Sequence, residues 1–128
     1  DTNIFAYLYS DAEPKKQEIA KRSINEYQRF VSTQVLNEFC NVCIRKLKFP
    51  ISAVKDAVLQ ICETCNLVSV DDSTVQKALD LHERYGFSYY DSLMVVSALE
   101  SDCKYLLSED MANNQTIESN LIIKNIFI

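Results

Sequence analysis

The sequence predicts an α/β fold in which a parallel sheet is covered by helices on both sides. Apolar residues make up 48% of the 128 residues, and only one Gly and two Pro interrupt them. This composition favours dense regular structure over disorder. Segments with helical periodicity alternate with short β-branched or apolar runs. Such alternation is typical of a single domain with a buried parallel sheet, here spanning residues 1–128.

Six segments are predicted to be helices, and most have a recognisable start or stop signal. Pro14 suits the first turn of a helix, Ser32 or Thr33 can cap the third helix, and Pro50 ends it. Gly86 is a favourable residue just after a helix. The other predicted caps are Ser52, Asp72 or Ser73, and Ser88. The predicted helices cover residues 4–9, 14–26, 33–48, 52–64, 73–85 and 88–99.

Short runs rich in Val, Ile, Leu, Tyr and Phe are predicted to be strands. They cover residues 29–32, 67–70, 105–107, 121–123 and 125–127. In a parallel α/β domain a strand normally precedes the first helix, and none is visible here. We therefore expect the first strand of the sheet to be missing before residue 1.

The net charge of −5 weighs against a nucleic-acid partner, because proteins that bind phosphate are usually basic. A metal site, however, concentrates acidic groups in one place, so the total charge is compatible with an RNA substrate. No apolar run approaches the roughly 20 residues that span a bilayer, and no signal peptide opens the chain. We expect a soluble, cytoplasmic protein that does not enter a membrane.

Five cysteines allow two interpretations. Cys40, Cys43, Cys62 and Cys65 form two Cys-x2-Cys pairs with a spacing found in zinc ribbons. Both pairs fall in predicted helices without the Gly that lets a zinc knuckle turn. The sequence therefore favours buried, packed thiols, and zinc held between two helices is the alternative.

Several acidic residues are expected near the carboxyl ends of the strands, where open α/β sheets bind ligands. Asp110 closely follows the strand at 105–107, and Glu38 lies in the helix that follows the strand at 29–32. Asp91 is in the first turn of its helix, and Asp1 would end the missing first strand. Together these four residues predict an acidic site.

Each acidic residue also has a purely structural interpretation. Asp91 lies three residues after Ser88, as in a capping box, and its charge would suit the start of a helix. Asp71 and Asp72 precede a helix and are interpreted as caps, so they are left out of the site. Taken singly, these structural interpretations are favoured.

The residues around the four acids resemble, in order, the four motifs of the PIN domain family. Asp1 is followed two residues later by Asn3, and a capped helix leads to Glu38. An aromatic residue, Asp91 and a small, apolar helix resemble the third motif, and Ser108-Glu-Asp110 resembles the fourth. The third and fourth motifs are similar to those of bacterial VapC-type toxins. The chain departs from the usual pattern with Asn-Asn at 113–114, where many relatives have Gly, and with Ile126 in place of Pro.

This resemblance implies a three-layer α/β/α sandwich with a central parallel sheet. It also implies a magnesium-dependent endoribonuclease, with Mn²⁺ as an alternative ion, that cleaves RNA phosphodiester bonds with a metal-activated water. Asn3 and Ser108 would orient the neighbouring carboxylates. The implied metal ligands and catalytic residues are Asp1, Glu38, Asp91 and Asp110.

The resemblance further implies the toxin of a type II toxin–antitoxin pair, with RNA as substrate, a small protein antitoxin as partner and a homodimer. The alternative is a catalytically inactive PIN-like scaffold that binds RNA or protein. A basic group near the end of the third helix could hold RNA phosphates, although an ordinary helix end matching its dipole is favoured. This group comprises Arg45, Lys46 and Lys48. The lone His82 lies in mid-helix, outside every motif, and is not expected to act in catalysis.

Overall fold

The computed structural model describes residues 1–128 as six helices and five short strands. The helices are α1 (Thr2–Tyr9), α2 (Pro14–Asn25), α3 (Thr33–Arg45), α4 (Ile51–Thr64), α5 (Asp72–Tyr85) and α6 (Tyr89–Glu100). The strands are β1 (Phe30–Ser32), β2 (Asn66–Val68), β3 (Tyr105–Leu107), β4 (Thr116–Ile117) and β5 (Leu121–Lys124). None of the helices is long and apolar enough to cross a membrane.

The strands form two hydrogen-bonded groups that together confirm the α/β prediction. β1 pairs in parallel with β2, with Phe30 opposite Asn66. In the second group β5 lies between β3 and β4; β3 and β5 are parallel, and β4 is antiparallel to β5. The predicted parallel sheet therefore carries one antiparallel edge strand, β4, that the sequence did not predict.

Two apolar clusters form the core, and α6 contributes to both. The first cluster joins α5 and α6 to β4 and β5, while the second joins α1, α3, α4 and β1 to Met94 of α6. Seven consecutive residues of α6, from Ser92 to Ala98, are buried. A helix that is buried all round lies inside the domain. The first turn of α6, which carries Asp91, is thereby fixed relative to the strands.

Several predicted element boundaries were wrong. α3 ends at Arg45 and not near Lys48, because Leu47 and Phe49 donate to the carbonyls of Val42 and Cys43 while Lys48 turns to a φ of 58°. α1 begins at Thr2 and not at Ile4, β2 ends at Val68 and not at Val70, and residues 125–127 form a turn and not a strand. Pro50 and not Ser52 precedes α4 without a side-chain cap, whereas Asp71, one of the expected caps, caps α5.

A cleft of about 420 Å³ separates β1 from β3, and most of its lining residues are apolar. Asp1 lies at one end of this cleft, where its nitrogen donates a hydrogen bond to the carbonyl of Leu107, the last residue of β3. The expected first strand stays a prediction.

Candidate active site

Asp1 lies at the start of α1, beside the turn that follows β3. One of its carboxylate oxygens, Oδ2, accepts a hydrogen bond of 3.1 Å from the backbone N–H of Glu109. The other, Oδ1, is buried and has no hydrogen-bond partner. A buried carboxylate oxygen without a partner is costly unless a cation or a donor compensates it. This oxygen is therefore the strongest local indication of a ligand.

Glu38 lies in the second turn of α3, and two side chains hold it. The hydroxyl of Thr2 donates to Glu38 Oε2 at 2.9 Å, and the amide of Gln34 approaches the same oxygen at 3.5 Å. Gln34 is only 8% exposed and also donates to the carbonyl of Tyr90 at 3.0 Å. Gln34 thus links α3, which carries Glu38, to the first turn of α6, which carries Asp91. No sequence motif indicates these roles for Thr2 and Gln34.

Asp91 lies in the first turn of α6. Ser88 caps this helix by accepting a hydrogen bond of 3.2 Å from the backbone N–H of Asp91. Only this half of the expected capping box forms, since the Asp91 carboxylate makes no hydrogen bond and no ion pair. The carboxylate, which is half-buried, therefore keeps all its lone pairs available.

Asp110 follows β3 in an exposed turn. Its Oδ2 accepts from the side-chain amide of Asn3 at 3.3 Å, which is the kind of contact expected for Asn3. Ser108 differs from the expectation, because its hydroxyl touches no carboxylate. Although Ser108 is only 1% exposed, its oxygen accepts from the backbone N–H of Met111 at 3.2 Å. Ser108 therefore shapes the turn that carries Asp110 and does not contact the carboxylate directly.

Hydrogen bonds connect the elements that carry these four residues. Thr2 and Asn3, which follow Asp1 in the chain, donate to Glu38 and Asp110. Gln34 links Glu38 to the carbonyl of Tyr90, the neighbour of Asp91. No three His, Cys, Asp or Glu side chains are close enough together to hold one ion as they stand. The four acids are neighbours, but they are not an assembled metal site.

The chemistry of these residues fits a hard divalent cation. All four side chains offer carboxylate oxygens, which Mg²⁺ and Mn²⁺ prefer. The buried Oδ1 of Asp1 needs a partner, and the carboxylates of Asp91 and Asp110 are free to turn towards it. Asp1, Glu38, Asp91 and Asp110 are the residues that could hold such an ion.

The two Cys-x2-Cys pairs lie elsewhere, on α3 and at the end of α4. Cys43 is 0% exposed and belongs to the second apolar cluster, against which Cys40 and Cys65 also pack. Burial raises the pKa of these three thiols, which favours their neutral form. All five cysteines of the chain are free thiols. Cys40, Cys43 and Cys65 thus pack in the core, and zinc between the two helices stays an alternative prediction.

The basic residues at the end of α3 are exposed, and they lie at the opposite end of the helix from its capped start at Ser32. A role for Arg45, Lys46 and Lys48 in holding RNA therefore stays a prediction. His82 is also exposed, and one of its ring nitrogens lies against the carbonyl of Phe87.

Glu109 is the residue beside the site that the sequence did not predict to be important. Its carboxylate accepts hydrogen bonds from Tyr7, at 2.7 Å, and from Lys16. Burial alone would raise the pKa of Glu109, but these two donors outweigh it and lower that pKa. No local sequence pattern connects α1, α2 and the turn after β3, so only the folded chain reveals this contact.

The comparison with family sequence models assigns this chain. The model of the PIN domain matches residues 1–113, and the chain belongs to the PIN domain family. Asp1, Glu38, Asp91 and Asp110 all lie within the matched range.

A solved structure supports the same fold. The chain is similar to the Mycobacterium tuberculosis toxin VapC20, described as cleaving the sarcin-ricin loop, with a TM-score of 0.68 and 18% sequence identity. The similarity covers 82% of this chain and 83% of the toxin chain. No curated protein sequence matches this chain.

Proposed function

We propose that this chain is an endoribonuclease that depends on Mg²⁺ or Mn²⁺ and hydrolyses RNA phosphodiester bonds at the acidic site. The observation that supports this most strongly is the buried, unpartnered Oδ1 of Asp1, whose chain neighbours Thr2 and Asn3 contact Glu38 and Asp110. When bound there, the ion would neutralise charge on the scissile phosphate and activate a water molecule. Membership of the PIN domain family supports the same proposal.

The protein's own residues would have distinct tasks in this reaction. Asp1 and Glu38 are already oriented by hydrogen bonds from Glu109 N–H and Thr2, so they would form the fixed part of the site. Asp91 has no partner, and Asp110 is held only by Asn3 at 3.3 Å. These two carboxylates can turn towards the cation with little loss of existing contacts. In metal sites, hydrogen bonds from neighbouring groups orient the ligand side chains in this way.

The biological role that we propose is the toxin of a type II toxin–antitoxin pair, with a small protein antitoxin as partner and a homodimer as the assembly. The toxin description of the similar fold supports this proposal. Co-expression with the product of an adjacent short reading frame tests it. Growth arrest by the chain alone, relieved by that product, is the expected result.

A catalytically inactive scaffold that binds RNA or protein is the second candidate. One observation favours it, namely that no three acidic side chains stand close enough to hold an ion together. Metal binding with no turnover on any RNA would support this candidate.

The deciding experiment incubates the purified chain with a mixed RNA substrate and Mg²⁺ or Mn²⁺. We expect cleavage that stops with EDTA and returns when the ion is restored. We also expect Asp110→Asn to lose activity while it keeps the thermal stability of the wild type. Cleavage that persists in EDTA or in Asp110→Asn would contradict the mechanism.

A further inference from the structure

The loop at 108–110 is anchored through Glu109, whose two neighbours are Ser108 and Asp110. The backbone of Glu109 makes two contacts: its N–H donates to Asp1 Oδ2 at 3.1 Å, and its carbonyl accepts from the Asn125 side chain at 3.1 Å. The first of these contacts joins Asp1 to the loop that carries Asp110. The position of the Glu109 backbone thus determines how the carboxylates of Asp1 and Asp110 face one another.

The side chain of Glu109 is held by residues of two helices. Tyr7 of α1 donates its hydroxyl to Glu109 Oε2 at 2.7 Å, and Lys16 of α2 pairs with Oε1. Lys16 also donates to the Tyr7 hydroxyl at 3.1 Å, which closes a triangle of hydrogen bonds. The side chains of Glu109 and Lys16 are only 19% and 30% exposed, so water screens this pair less than an open surface pair.

The aromatic rings of Tyr7 and Phe127 pack beside this triangle of hydrogen bonds. The rings of Tyr7 and Phe127 meet edge to face at 5.2 Å between centroids. The Lys16 ammonium lies 4.8 Å from the Tyr7 centroid and 5.6 Å from the Phe127 centroid, within cation–π range. Tyr7 of α1 and Lys16 of α2 therefore hold one acidic side chain that is not among the four acids, and Phe127 packs against both of them.

We propose that Tyr7 and Lys16 hold Glu109 in place as a clamp of three side chains. This clamp keeps the carboxylates of Asp1 and Asp110 in the relative position that binding of the divalent cation requires. The inference rests on the proposed function. Lys16 acts through Glu109 and contacts none of the four acids, so it is a positioning residue and not a catalytic one.

The test compares Lys16→Met with Lys15→Met. Lys15 is the exposed neighbour on α2 with no hydrogen bond or ion pair, and its replacement makes the same change of charge. Mn²⁺ affinity is measured by calorimetry, kcat and KM on RNA by initial rates, and exchange of the Glu109 amide hydrogen by NMR. For Lys16→Met we expect Mn²⁺ binding weakened about tenfold, as for loss of outer contacts in metal sites. We also expect lower kcat with little change in KM, and faster exchange of the Glu109 amide.

Two further variants keep the test decisive. Lys16→Arg should restore Mn²⁺ affinity to within about threefold of wild type, because it keeps the charge and a donor to Glu109. Tyr7→Phe removes only the hydroxyl, retains the ring, and should show a smaller loss than Lys16→Met. If Lys16→Met fails to fold, Tyr7→Phe alone carries the comparison with Lys15→Met.

Equal Mn²⁺ affinity and equal amide exchange in Lys16→Met and Lys15→Met would overturn the clamp, as would a wild-type chain that binds no Mn²⁺. A wild-type chain that binds Mn²⁺ but cleaves no RNA would instead overturn the proposed function. In that case the affinity and exchange measurements still decide whether the clamp positions the site.

Discussion

Two groups of side chains in this molecule have the composition of a metal site, and their surroundings differ. The four carboxylates lie around the carboxyl ends of the strands, with one buried oxygen left without a partner. The two Cys-x2-Cys pairs lie on α3 and at the end of α4, and Cys40, Cys43 and Cys65 belong to or pack against the second apolar cluster. Neither group is assembled around an ion.

The difference is in what each group would gain from a cation. Asp1 Oδ1 is buried and receives no protein donor, so a cation beside it would offset the cost of its burial. Burial raises the pKa of Cys40, Cys43 and Cys65, which favours their neutral thiol form within the apolar cluster. The environment of candidate ligands, more than their spacing along the chain, separates a metal site from a packed core.

The largest expected effect comes from exchanging the charge of one carboxylate for an amide. Asp91→Asn keeps the shape of the side chain and the Ser88 cap but removes a ligand, so RNA cleavage should fall by more than about 100-fold. The matched variant in the other group, Cys40→Ser, should keep activity within about twofold. Initial rates at saturating Mg²⁺ provide the measurement. A large loss in Cys40→Ser with full activity in Asp91→Asn would reverse the comparison.

The next effect concerns the free energy of unfolding, and it comes from the cysteine group. Cys43→Ser places a hydroxyl in a fully buried apolar site and should reduce the free energy of unfolding by about 1–3 kcal/mol. Cys62→Ser, at a half-buried position outside the cluster, should cost less. Urea unfolding gives these values, and Mn²⁺ affinity should be unchanged in both variants. An unchanged free energy of unfolding in Cys43→Ser would show that burial of this thiol does not contribute to stability.

A smaller effect tests how Glu38 is oriented. Thr2→Val keeps the shape of the side chain and removes the donor that lies 2.9 Å from Glu38 Oε2. Mn²⁺ binding should weaken by up to about tenfold. Thr64→Val is the control, since it also removes a hydroxyl, which donates to the carbonyl of Gln60 in α4. The orienting role fails if the two variants bind Mn²⁺ equally well.

The smallest expected effect is a dependence of stability on alkaline pH. Burial raises the pKa of the Cys43 thiol, so the folded state holds this proton more tightly than the unfolded chain does. Its contribution to stability is full below the ordinary thiol pKa of about 8.5, and it is lost as pH rises through the folded value. The urea midpoint should therefore fall between pH 8 and pH 10, and fall less in Cys43→Ala. An identical fall in both proteins would assign the effect to other groups.

Much of the fold followed from local signals in the sequence. Ser32 and Ser88 cap α3 and α6 as predicted, and Gly86 ends α5 with a φ of 75°. β4 was missed because it is only two residues long and joins β5 through Glu118 and Ser119, which both have positive φ. Tight hairpin turns with positive φ usually contain Asn-Gly or Asp-Gly, and Glu118-Ser119 is not such a pair.

The candidate site was predictable only in part. Acidic residues that follow strands can be found from the sequence, because parallel strands end at one edge of a sheet. The side chains that orient them are distant along the chain: Thr2 and Glu38 are 36 residues apart, and Lys16 and Glu109 are 93 apart. Such contacts leave no periodic or local pattern.

The central claim is that the carboxylate group, and not the cysteine group, binds the metal. Calorimetric titration of Mn²⁺ into wild type, Asp91→Asn and Cys62→Ser tests it most directly. We expect saturable binding to wild type and Cys62→Ser with equal affinity, and affinity at least about tenfold weaker in Asp91→Asn. Equal Mn²⁺ binding by wild type and Asp91→Asn, or binding lost only in Cys62→Ser, would contradict the claim.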